Sequence, residues 1–149
     1  ELTLQSSRVP AASSSANKNC GIVVDRPSGP NGPKSYARVY ESGAWLRFDG
    51  IDLQQISQLK FHFQSNGIPF QFEVRKGSPD GELVAQGESG KVPAKYQQFE
   101  VAVPVPAQKQ GYADQLYIVF LNPEEAGKLG QWRHLLVVES VDFLFSPEL

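Results

Sequence analysis

At 149 residues the chain is long enough for one domain with a substantial core and leaves little room for a second. Hydrophobic residues make up 40% and aromatics 11%, enough burial to offset the entropy of ordering, so a disordered chain is excluded. With 14 Lys and Arg against 16 Asp and Glu and no clustered basic stretch, nucleic acid is excluded as a partner, and no apolar run approaches the length that spans a membrane.

In chain order, the expected elements are strands. The patterns at residues 2–5, 21–24, 36–40 and 44–48 are short, with a small, polar connection at 6–18 and a loop at 26–35 whose three prolines lack the donor a ladder needs. From 59 to 63 the order Leu-Lys-Phe-His-Phe puts apolar residues on one side and polar ones on the other, and Phe-Gln-Phe-Glu-Val at 70–74 repeats it. A shorter strand follows at 82–86, then Phe-Glu-Val-Ala-Val at 99–103, a run at 116–121 apolar on both faces, and Val-Asp-Phe-Leu-Phe at 141–145. Ser65-Asn66-Gly67 and Ser78-Pro79-Asp80-Gly81 are turns, because Gly and Asn accept positive φ and Pro fixes its own. A loop covers 122–132. Short strands of about five or six residues, each with one buried and one wet face, predict an all-β fold: an antiparallel β-sandwich of jelly-roll type, occupying residues 1–149 as a single domain.

Phe outnumbers the other aromatics, nine against five Tyr and two Trp, which suits the dry space between sheets because Phe has no polar atom to satisfy. Cys20 stands alone, so no internal disulfide can form, and its expected role is that of a small buried hydrophobe beside Ile22 and Val24. The chain has no Met and begins at Glu1, which suggests a piece cut from a longer, processed precursor.

Catalytic constellations are thin. Glu124–Glu125 and Asp49/Asp52 are acidic pairs, but carboxylates that cleave glycosides must flank a cleft at a set separation, which sequence adjacency does not provide. His62 alternates outward, as a solvated histidine does. The chain is therefore not expected to be an enzyme. Trp132, in Gly130-Gln131-Trp132-Arg133-His134, has polar neighbours and no alternating pattern, so it is a candidate for a ligand-facing ring, with a cap on the core as its plainer role. Asn122 opens the same loop, where it either offers a ligand a polar contact or caps the turn.

The segment Tyr-Ala-Arg-Val-Tyr-Glu-Ser-Gly-Ala-Trp-Leu-Arg-Phe from Tyr36 resembles the Gly-x-Trp-x-x-aromatic strand of family 6 carbohydrate-binding modules. Residues 59–84 resemble the central hairpin of that family, Lys95-Tyr96-Gln97-Gln98-Phe99 its Trp-Gln-x-Trp strand with both Trp replaced, and residues 115–120 and 140–145 its last two strands. The resemblance implies a module that binds polysaccharide or oligosaccharide without cleaving it, as a monomer, in a secreted, extracellular or periplasmic protein whose attached enzyme it targets to substrate. It places Tyr96 as the aromatic platform with Gln97 beside it, Tyr36 near the second aromatic position, and Trp45 in the core. It also implies a structural calcium ion (Ca2+), near Gln5 on the first strand and Asp142 on the last. The alternative is a structural or protein-interaction domain of the same fold with no sugar site.

Overall fold

The computed structural model describes residues 7–24, 35–109, 111–122 and 134–145. These form eleven strands: β1 (Ser7–Pro10), β2 (Ala16–Lys18), β3 (Cys20–Val23), β4 (Tyr36–Val39), β5 (Trp45–Asp52), β6 (Ile56–Gln64), β7 (Gln71–Lys76), β8 (Glu82–Glu88), β9 (Gln98–Pro104), β10 (Tyr112–Leu121) and β11 (Leu136–Phe145). Among the described residues the only helical turns are two 3-10 segments, Ala11–Ser13 and Ala107–Lys109.

Two antiparallel sheets result. One, sheet A, runs β3-β4-β11-β6-β9, with β1 also paired to β11; the other, sheet B, runs β2-β5-β10-β7-β8. Alternation decides which side of each strand turns inward. On β5, Leu46 and Phe48 are buried while Trp45, Arg47 and Asp49 face outward. On β6, Leu59, Phe61 and Phe63 are buried, with Lys60 and His62 on the far side. The inward rows meet in one core where Phe rings from both sheets touch: Phe61 lies 4.7 Å from Phe72, and Phe63 lies 5.1 Å from Phe70. Gly87 on the edge strand β8 lets this packing close, because a Cβ there would stand 2.6 Å from Val103 Cγ1 and 2.8 Å from Phe72 Cζ.

The all-β sandwich expected from the alternation is the fold observed. Residues 6–18, expected as a connection, instead supply β1 and β2. Both are held by backbone pairing, β1 to β11 (Arg8 opposite Asp142) and β2 to β5. The last strand begins at Leu136, five residues before the expected 141, and a register shift between Val138 and Ser140 interrupts the alternation that would have revealed it. The expected strand at 2–5 lies outside the described residues.

Candidate functional site

The loops after β6 and β8 meet at one end of the sandwich. Tyr96, in the β8–β9 loop, is 51% exposed, and its backbone sits at φ 75°, a conformation costly for a bulky residue. The turn is held from both sides. The Tyr96 N–H donates to the Ser65 carbonyl at 2.8 Å, and Gln64 Nε2 donates to the Tyr96 carbonyl at 3.2 Å. Gln64 itself is buried at the end of β6, on the face opposite Phe63, so the anchor is covered from solvent. The Ser65 hydroxyl ties the same loop down by donating to the Pro93 carbonyl at 2.7 Å. A ring fixed outward in this way does not have to be ordered when a ligand arrives.

The side chains around Tyr96 are polar. Gln97 is exposed beside it, as expected, and the Lys95 ammonium stands 5.3 Å from the ring centroid. Asn66 Nδ2 donates to the carbonyl of His134. Burial first, then the charges of Arg38 and Lys95, pushes the His134 imidazole down to about 4, so it is neutral at pH 7.

Two other expected ligand residues take different roles. Tyr36 is 1% exposed: it lies on the opposite side of β4 from the core residues Ala37 and Val39, under the Arg38 guanidinium, which is 5.8 Å from its ring and donates to its hydroxyl at 3.3 Å. Its ring is therefore unavailable for stacking. Asn122 is also buried. Its Nδ2 donates to the Pro69 carbonyl and its N–H to Ser42 Oγ, both at 2.8 Å, so it joins two loops, the capping role that was its alternative. Trp132, Glu124 and Glu125 lie outside the described residues.

Trp45, expected in the core, is on the outer face of sheet B. It is partly exposed, with its ring 4.9 Å from that of Tyr117 at an edge-to-face angle of 76°. Two ion pairs flank the aromatic pair, Arg47 with Asp49 and Arg75 with Glu73, both at 2.9 Å. Toward β8 the same face opens into a depression of about 350 Å3 bordered by Gln71, Glu73, Gln86 and Glu88. This surface combines flat rings with planar donors and acceptors. Sequence reasoning missed it, although the signal was present: Trp45 alternates with Leu46 and Phe48, so if those two point inward, Trp45 cannot.

Asp142 does not fit a calcium ion. It is 4% exposed, and its two oxygens are taken by Arg8 Nε at 2.7 Å, Arg8 Nη2 at 3.0 Å and His62 Nε2 at 2.8 Å. A guanidinium in that position repels a divalent cation, which needs several hard oxygens. His62, expected to be solvated, is instead enclosed between Asp142 and Glu100, the latter 3.4 Å from Nδ1. The other residue of that reading, Gln5, lies outside the described residues. Chelator is expected to leave the thermal melt unchanged; a fall of several degrees would place a calcium ion elsewhere in the chain.

Cys20 packs against the core but is only partly buried, whereas its expected neighbours Ile22 and Val24 are exposed. Burial pushes its thiol up to about 12, which leaves it inert. Of the other acidic residues, Asp52 accepts from the Gln54 N–H at 2.9 Å, an ordinary turn contact.

No protein-family model and no curated protein matches the sequence. Solved structures do match. A family 6 carbohydrate-binding module from Clostridium stercorarium in complex with cellobiose is 18% identical, with a TM-score of 0.69 over 95% of this chain and 94% of that one. A β-1,3-glucan-binding family 6 module from Bacillus halodurans is 18% identical, with a TM-score of 0.70 over 94% and 96%. A family 43 arabinoxylan arabinofuranohydrolase from Bacillus subtilis, in complex with cellotetraose, is 19% identical, with a TM-score of 0.74 over 94% of this chain and 27% of that one. At these identities the likeness is one of fold: the chain has the β-sandwich of family 6 carbohydrate-binding modules.

Proposed function

We propose that the chain is a non-catalytic carbohydrate-binding module that holds a polysaccharide against its exposed aromatic rings and so keeps an attached secreted enzyme at its substrate. The observation that carries this reading is Tyr96, set outward at a strained φ of 75° and 51% exposed among loops tied to the core. A pyranose ring has an apolar face that packs on such a ring, while its hydroxyls need the planar amides and charges that Gln97 and Lys95 supply. The Trp45–Tyr117 pair on sheet B offers the same chemistry on a flatter surface. The reading is supported by structural neighbours that bind cellobiose or β-1,3-glucan, and by one in which the matching part is 27% of an arabinofuranohydrolase chain.

Its non-catalytic character is supported by the state of the acidic groups. Among the described residues, Asp142, Glu100, Glu73 and Asp49 are each engaged by a cation. Calorimetry against a panel of soluble polysaccharides tests the proposal. Tyr96→Ala is expected to weaken binding about 10- to 100-fold, the loss typical of a truncated aromatic hot spot, without lowering the melting temperature. If the unmodified chain binds no polysaccharide, the alternative of a protein-interaction sandwich stands in its place.

A further inference from the structure

The charges around the Tyr96 end are uneven. The β8–β9 loop from Ser89 to Gln97 carries Lys91 and Lys95 and no carboxylate. Across sheet A, Arg38 and Gln64 both lie in register with Val137, and Gln64 in turn donates to the Tyr96 carbonyl, which places Arg38 on the same end of the sheet. Among the described residues, Lys91, Lys95 and Arg38 take part in no ion pair, which is also true of Lys18 and Lys76 on sheet B, whereas Arg8, Lys60, Arg47, Arg75 and Lys109 each have a carboxylate within reach. Of the nearby acids, Glu41 accepts from Asn19 at 2.9 Å and Glu100 faces Lys60 and His62, while Glu88, just before the loop, and Glu139, beside Glu100, take part in no ion pair. The environment of His134 agrees, since Arg38 and Lys95 are the charges acting on it and both are positive.

Lys95 over the exposed Tyr96 ring, with Lys91 in the same loop and Arg38 on the same end of the sheet, adds positive charge there on a chain whose net charge is −2. A neutral glucan or xylan makes no use of it. We propose that the Tyr96 site takes an acidic polysaccharide, one whose repeating sugar bears a carboxylate or a sulfate, with Lys95 and Arg38 receiving the anionic group while the sugar ring lies on Tyr96. This rests on the carbohydrate-binding reading above and narrows its substrate class.

The test is calorimetry on the full chain with polygalacturonate and alginate for the carboxylate arm, carrageenan for the sulfate arm, and laminarin and arabinoxylan as neutral glycans. One acidic arm is expected to bind at least about tenfold more tightly than the neutral set at low salt. That preference should shrink as ionic strength rises and the screening length falls from about 30 Å at 0.01 M to about 3 Å at 1 M. Lys95→Glu, at an exposed position whose melt should match that of the unmodified chain, is expected to lower the acidic-to-neutral ratio about tenfold or more. Arg38→Gln, checked in the same way for folding, should lower it in the same direction. A ratio near one in the unmodified chain, or one that Lys95→Glu leaves unmoved, overturns the acidic class while leaving glycan binding through Tyr96 intact. Failure to bind any glycan of either set overturns the carbohydrate reading and this inference together.

Discussion

Phe63→Ala is expected to destabilise the fold by about 3–5 kcal/mol, the usual cost of emptying a large aromatic site in a packed core. Phe63 is 1% exposed and touches five other rings, Phe61, Phe70, Phe72, Phe99 and Phe120, at centroid separations of 5.1 to 6.4 Å. Those partners come from both sheets, so the cavity opens at the seam between them and has no flexible neighbour to fill it. Against a total stability of about 5–15 kcal/mol, this loss leaves a marginal domain. Urea titration with the slope compared between variants measures it, and Phe63→Leu should retain most of the stability. A loss below about 1 kcal/mol for the alanine variant would show that the seam collapses around the gap.

The second large effect concerns acid. The Arg8 guanidinium, with His62 behind it, holds the Asp142 carboxyl below the usual carboxylate range, so below the ordinary pKa the unfolded chain binds a proton that the folded chain refuses. The stabilisation is complete above the unfolded value of about 4 and is lost as pH falls toward the depressed folded value. His134 adds to this at a higher window. Its folded pKa of about 4 lies below the 6.5 of an unperturbed histidine, so between pH 6.5 and 4 the unfolded chain is again the one that takes up a proton. The melting temperature is therefore expected to fall from pH 7 to pH 4 and further below it. His134→Gln should flatten the first part of that fall and Asp142→Asn the second. Asp142→Ala at pH 7 should cost about 2–3 kcal/mol, less than the loss of a fully buried pair because the Arg8 side chain is 56% exposed and can return to water. A melt that is flat from pH 7 to pH 4 would remove the role assigned to His134.

Particular residues show how much of this was legible in the sequence. Leu59, Phe61 and Phe63 announce an inward row by alternating with Lys60 and His62, and Phe70 to Val74 does the same, so the two central strands and their buried faces follow from pattern alone. Tyr96 was legible as an exposed aromatic, through the resemblance of Lys95 to Phe99 to a family strand. Tyr36 was not, because alternation tells which side of a strand a residue takes and not whether something covers that side. The same gap hid Asp142. Its alternation with Val141 and Phe143 correctly puts it on the outer face, yet the Arg8 guanidinium that covers it there comes from β1, 134 residues away in sequence, and His62 comes from β6.

The sequence by itself determined the class of the fold, because period-two hydrophobicity with Gly, Asn and Pro turns has few compact solutions other than a sandwich. It also determined that Phe would fill the seam, whereas Tyr96, expected on a strand, stands in the loop before β9. Only the tertiary structure decided which outward-facing residues meet. Backbone pairing brought Arg8 to Asp142 and Trp45 to Tyr117, and loop contacts set Tyr96 at positive φ with Lys95 beside it. The first two are contacts between strands distant in sequence, and their geometry depends on register, which the local pattern does not encode.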